Sequence, residues 1–259
     1  MVNIEESVYK EYLELDDYPQ PHVIMKDMLI KKLILRSGLP TGSRFLDIGC
    51  GRGRILDILL GFGFHGVGID TQEVCLDICR KRLQGKNIEF QSNLDEVHGI
   101  FDLIIMSSVL EHIEDDQEFL IRISKYLRKG GYFLFTVPGD KRLYGRRDIA
   151  YGHYRRYEKE ELIEKLNKAD LQIHTLWSYG INMISKVYRM IIKKELDQNE
   201  ANDKLGNTSK SAIESDGFHK IKKLYPIYSK LMFLYKSQLL LLNKNIFRAN
   251  YAGLFKKNI

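Results

Sequence analysis

The residues with most chemical promise stand in "FLDIGCGRGRILDIL", Phe45 to Leu59. Asp47 is followed by Gly49, Gly51 and Gly53 at every second position. A strand that ends in a glycine-rich turn and restarts as a helix lets a ligand come against the backbone at the carboxyl edge of a sheet. A dinucleotide fingerprint would read G-x-G-x-x-G, and in that register Arg54 takes the place of the third glycine. An acid two residues before the first glycine suits a cationic ligand more than a pyrophosphate. Asp70 closes the next apolar run, "GVGID", where a carboxylate can accept from both hydroxyls of a ribose. Without the two acids the glycines would describe only a tight turn; with both, a ligand site is the better reading.

Two histidines are the candidates for moving a proton. His112 lies in "VLEH" and His153 in "YGHYRRYEKEEL". A hydroxyl or ammonium group that acts as a nucleophile must lose a proton, and imidazole accepts one near neutral pH. For each, the competing reading is a structural or surface hydrogen bond. Arg155, Arg156 and Tyr157 could bind an anion or simply open a solvated helix. Cys50, Cys75 and Cys79 do not suggest a disulfide framework. Cys75 and Cys79 have no second Cys/His pair to complete a metal site, so reduced thiols are expected.

The elements that would position these groups alternate. After a helical stretch, "HVIMKDMLIKKLILRSG", strand-like and helical runs follow one another: "SRFLDIG", "RILDILLGFG", "FHGVGID", "QEVCLDICRKRLQG", "NIEFQ", "FDLIIMSS", "DDQEFLIRISKYLRKGG", "GYFLFTVP", "EKEELIEKLNKAD" and "LQIHTLWSY". Such alternation predicts a parallel sheet covered by helices on both faces. The 259 residues suffice for one large domain with an elaboration. A 44% hydrophobic and 29% charged composition is that of a soluble globular chain. No secretory leader is recognisable, and the uncharged apolar runs fall short of the ~20 residues of a membrane-spanning helix. From Gly180 onward 15 Lys and Arg stand against 6 Asp and Glu, a net of +9, so residues 1–179 carry −3 of the chain's +6. The two parts should face different partners.

At this point the motifs resemble, in order, those of the class I S-adenosylmethionine-dependent methyltransferases. "LDIGCGRG" is similar to their first motif, "GVGID" to the second, "IEFQSNLDEV" to the third, "FDLIIMSSVLEHIED" to the fourth, and "LRKGGYFLFTVP" to the strand beyond it. The resemblance covers about residues 30–180. It implies a doubly wound, Rossmann-like α/β sheet of seven mostly parallel strands. The seventh strand, "RANYAGLFKK", would be antiparallel and inserted beside the fifth. S-adenosyl-L-methionine would be the cofactor. Asp47 and the turn of Gly49, Cys50, Gly51 and Gly53 would hold its methionine part, and Asp70 its ribose. Asn93 stands where the family usually has an acid near the adenine amine, and Leu94 would neighbour the ring. The domains expected are an N-terminal helical segment (1–40), a cofactor-binding core (41–179), an inserted basic helical cap (180–247) and a final strand returning to the sheet (248–259).

Some members carry E-x-x-E-H after the fourth strand and bind a divalent cation there. Ser108 replaces the first acid, so no metal is expected at Glu111, His112 and His153. The expected activity is methyl transfer to a small-molecule or lipid-linked acceptor, on oxygen rather than nitrogen, with His153 and His112 as catalytic candidates. Absence of a [DN]-P-P-[YF] segment disfavours nucleic-acid bases. The basic, leucine-rich stretch from Lys220 to Leu242 suggests peripheral contact of a cytoplasmic protein with an anionic membrane. A nucleic-acid methyltransferase and a non-catalytic cofactor-binding module remain the alternatives. The acceptor's identity and the oligomeric state are not legible.

Overall fold

The computed structural model describes residues 21–180 and 249–258. Helix α1 (Pro21–Ser37) begins on a proline, whose fixed φ and missing N–H cost nothing at a first helical position. It stops at Gly38, which takes φ 65°. Ile24, Met25, Met28, Leu29 and Leu33 recur along one face and are buried against the sheet. The expected N-terminal segment therefore contributes its described part to the main core.

The strands are β1 (Arg44–Ile48), β2 (His65–Ile69), β3 (Ile88–Gln91), β4 (Phe101–Ser107), β5 (Leu127–Pro138), β6 (Leu171–Tyr179) and β7 (Asn250–Lys257). They form a seven-stranded sheet in the order β3-β2-β1-β4-β5-β7-β6. The neighbours from β3 to β5 are parallel. β7 runs antiparallel between β5 and β6, setting Leu134 opposite Leu254 and Leu176 opposite Gly253. Successive side chains of a strand face opposite ways. Phe45, Leu103, Ile105 and Leu134 accordingly join the core under α1 and α2 (Arg54–Gly61). Leu46, Ile104, Met106, Phe133 and Phe135 join the core on the other face, under α4 (Asp116–Ser124) and α6 (Lys159–Lys168). Helix α3 (Glu73–Arg82) follows β2, and the short helix α5 (Arg146–Ala150) lies between β5 and α6.

Two boundaries differ from the sequence reading. The helix expected over "DDQEFLIRISKYLRKGG" ends at Ser124, and Leu127 already opens β5 opposite Phe101. Gly130, at φ 71°, lies inside that strand extension rather than at a helix end. Helix α5 was not expected, because five residues of "RRDIA" carry no readable period. The expected basic cap over 180–247 lies outside the described residues apart from Gly180.

The chain reverses its winding direction between β1 and β4, the switch point at which open α/β sheets present a crevice. Asp47, the glycine turn, Asp70, Asn93, Glu111, His112 and the loop holding His153 all belong to the carboxyl ends of β1 to β5 or to the turns that follow them.

Candidate functional site

The glycine turn is built by β1 and β2 together. The amides of Gly49 and Cys50 both donate to the carbonyl of Ile69, each at 2.8 Å. Gly49 takes φ 74°, and a Cβ there would stand 2.4 Å from Val109 Cγ2. Gly53 takes φ 85° at the head of α2, where a Cβ would meet Arg82 Nη2 at 2.6 Å and Cys79 Sγ at 2.9 Å. Gly51 differs: nothing lies within 4 Å of a Cβ built on it. The turn is thus crowded from below by protein and open on the side of Gly51.

Asp70 fastens the turn. Its Oδ2 accepts from Gly51 N at 2.8 Å and its Oδ1 from Gln72 N at 2.9 Å. Each oxygen keeps a second lone pair, enough for two hydroxyls. Asp47 is 1% exposed, and its Oδ2 has no hydrogen-bond partner. Burial, then the nearby Cys79 and Asp70, push its carboxyl well above the usual carboxylate range. A cation bound beside it would reverse that cost. The Cys50 thiol is pushed up by its hydrogen bond with Cys79 and by burial, while Cys79 Sγ lies 3.3 Å from Gly51 O.

Asn93 follows β3 and caps the short 3-10 turn Leu94–Glu96, its Oδ1 accepting from Asp95 N at 3.0 Å. The second lone pair of Oδ1 can still accept. Leu94 is buried with Ile48, Ile69 and Val97 at the same edge.

The histidines meet. The His112 and His153 rings stand edge to face with centroids 4.7 Å apart. His112 belongs to the 3-10 turn Leu110–His112 directly after β4, and burial followed by His153 lowers its pKa to about 4. Its Nδ1 is buried without a partner, as is Glu111 Oε2 beside it. Burial raises the Glu111 carboxyl to about 8, with Lys26 and Arg156 opposing. His153 Nδ1 lies 2.9 Å from Asp148 Oδ1, and burial holds this ring below the ordinary imidazole value against the pull of that carboxylate. Burial thus favours the neutral form of both rings.

Glu111, His112 and His153 each offer one ligand atom, all within 4.8 Å of one another. The sequence reading expects no metal here, yet this spacing could enclose a small cation. Ser108, where a further acid would stand, takes φ 58°, and its Oγ accepts from Lys26 Nζ at 3.3 Å. The other basic candidates are committed internally. Arg155 pairs with Asp116 at 2.9 Å and Arg156 with Asp148 at 2.8 Å. The fully buried Tyr157 hydroxyl lies 2.9 Å from Asp116 Oδ2. Sequence reasoning missed Lys26 and Asp148. The first arrives from a distant helix with no local signal. The second stands five residues before His153, a spacing that "DIAYGH" displays but that only a turn after α5 converts into contact.

A seven-stranded, doubly wound sheet with an acid-flanked glycine turn at its switch point defines a cofactor-binding α/β enzyme. The chain matches the methyltransferase domain family over residues 25–176, more than half its length, and belongs to it. Members of that family take their methyl group from S-adenosylmethionine. The orphaned Asp47 oxygen, the open side of Gly51 and the spare lone pairs of Asp70 fit that molecule's ammonium, methionine backbone and ribose.

Among curated relatives, the ubiquinone biosynthesis O-methyltransferase of Thiobacillus denitrificans is 25% identical over 169 residues, covering 58% of this chain and 73% of that protein. The enzyme of the same name from Aeromonas salmonicida is 31% identical over 117 residues, covering 42% of this chain and 49% of that one. Among solved structures, the [4+2]-cyclase SpnF superposes with a TM-score of 0.59 at 18% identity, over 90% of this chain and 82% of that one. Phosphoethanolamine N-methyltransferase 2 of Haemonchus contortus, in complex with S-adenosyl-L-methionine, gives 0.57 at 19% identity, over 88% and 52%. These structures share the fold. A cyclase among them shows that the sheet alone does not set the chemistry.

Proposed function

We propose that this protein methylates a hydroxyl oxygen of a small-molecule acceptor, with His153 as proton acceptor and His112 beside it. The observation that carries the reading is a pair of half-buried imidazoles meeting edge to face at 4.7 Å at the carboxyl edge of the sheet. Both relatives named above are O-methyltransferases by name, which supports oxygen as the target. When bound, S-adenosylmethionine supplies an electrophilic methyl carbon. The chain aligns the acceptor and takes up its proton. In this reading Asp47 and the Gly49–Gly53 turn hold the methionine part, Asp70 the ribose, and Asn93 and Leu94 the adenine.

The acceptor in this reading carries a long apolar, lipid-linked portion. Leu143, Tyr144, Ile149 and Tyr154 are exposed on the segment that carries His153. Lys141, Arg142, Arg146 and Arg147 are exposed on the same segment. That mixture suits an apolar tail presented from an anionic surface. Among the described residues no helix is long and apolar enough to cross a membrane.

The test is product analysis with methyl-labelled S-adenosylmethionine and a panel of hydroxylated aromatic and amine acceptors, each with and without a prenyl tail. A methyl ether, formed faster on the tailed member of each pair, is expected. Methylation confined to amines, or to nucleic acid added as a further acceptor, would overturn the reading.

A further inference from the structure

The proton-accepting ring does not orient itself. His153 sits just past α5, a helix of one and a half turns, on a segment whose outer residues face solvent. The contacts around Asp148 account for how so exposed a segment can hold one ring in place. Asp148 is 2% exposed. Its Oδ2 accepts from Gly145 N at 3.0 Å, closing the first turn of α5. Its Oδ1 does something a helix cap does not require: it meets both His153 Nδ1 at 2.9 Å and Arg156 Nε at 2.8 Å. The loop is then closed through the backbone, His153 N donating to Asp148 O at 2.9 Å.

We propose that Asp148 is a positioning residue for methyl transfer, acting through His153: its carboxylate fixes the proton of the neutral ring on Nδ1 and leaves Nε2 as the basic nitrogen. The chemistry of the partners dictates this. An ionised carboxylate only accepts, and a neutral imidazole has one N–H, so the nitrogen facing Asp148 must carry it. Arg156, whose guanidinium does not deprotonate, keeps Asp148 ionised. Burial disfavours that charge, but the bonds from Arg156 and His153 outweigh it and hold the carboxyl below its ordinary value. As the acceptor oxygen gains the methyl group and the carbon–sulfur bond breaks, the hydroxyl proton passes to Nε2. The ring becomes a cation bonded to Asp148, then returns the proton to water. The charged and titratable groups that face the ring are Asp148 and Arg147 of α5, Tyr151 just past it, Arg156, and His112 and Glu111 after β4.

This rests on His153 as the proton acceptor, so the experiment separates the two claims. The first readout needs no variant: nitrogen NMR of the full chain, labelled at histidine, in chelator-treated buffer. Wild type should show the neutral His153 ring protonated at Nδ1. In Asp148→Asn a side-chain N–H2 can face the ring instead, and the Nε2-protonated form should take over. Turnover should fall about tenfold or more, towards the roughly 100-fold loss expected for His153→Gln, with cofactor affinity unchanged. The acidic limb of the pH–rate profile should move to lower pH, because a ring without its carboxylate holds a proton less well. Asp148→Glu should recover part of the rate, and Asp148→Asn added to His153→Gln should cost little more. A wild-type ring protonated at Nε2 overturns the inference. So does Asp148→Asn turning over normally while His153→Gln is crippled, which leaves the reading of His153 standing. A His153→Gln variant as fast as wild type removes that reading, and the Asp148 inference with it.

Discussion

At the scale of single residues, the site is a set of buried polar atoms held short of partners. Asp70 already accepts two amides and offers its remaining lone pairs outward. Hydrogen bonds to a charged acceptor are worth about 1.5–3 kcal/mol each, and about 1.4 kcal/mol is a factor of ten in affinity. Asp70→Ala should therefore weaken S-adenosylmethionine binding at least tenfold by calorimetry in a variant that still folds. Unchanged affinity would remove Asp70 from the cofactor site. Glu111 gives a test of the electrostatics. Its folded pKa is raised to about 8 from 4.5, so across that window the folded state keeps a proton that the unfolded chain releases. Stability must then fall as pH rises through the window. Glu111→Gln has no such dependence. In chelator-treated buffer its melting temperature should gain on wild type between pH 5 and pH 8, whereas a constant gap would mean that Glu111 is not buried as the structure has it. If added divalent cation instead raises the wild-type melting temperature and not that of the variant, the Glu111, His112 and His153 cluster binds metal, against the sequence expectation.

At the scale of elements, the turn between β1 and α2 carries the site because two strands and one loop crowd it. Gly49→Ala would put a methyl 2.4 Å from Val109 Cγ2 in a backbone region that costs an L-residue about 1–2 kcal/mol. Thermal melts should show a clear loss of stability together with weaker cofactor binding; a variant as stable and as tight as wild type would contradict the geometry. This part was legible in the sequence. The acids and glycines of "LDIGCGRG" and "GVGID" are local, and the strand-helix alternation around them predicts the parallel part of the sheet, while the antiparallel β7 beside β5 was legible only through the family resemblance. What was not legible is what distance hides. Lys26 reaches Ser108 from α1, and the partner of His153 comes from a helix too short to show a period. The strand extension over Leu127–Gly131 was read as helix because its charged residues continue the preceding pattern, while its pairing with Phe101 lies elsewhere in the chain.

At the scale of the whole molecule, the residues proposed for the cofactor and the proposed proton acceptor stand on one edge of the sheet, on both sides of the switch point. The proposed cofactor residues follow β1, β2 and β3; the histidines follow β4 and β5. On that proposal the two halves of the sheet can be disabled separately. The measurement that addresses this most directly is single-turnover transfer of a labelled methyl group to a hydroxylated acceptor, by wild type and by His153→Ala, with the cofactor saturating. Wild type should form the methyl ether, and His153→Ala should form the same product about 100-fold more slowly while binding S-adenosylmethionine as tightly. Equal rates for the two proteins, or a wild type that binds the cofactor and transfers to no hydroxyl, would contradict the account.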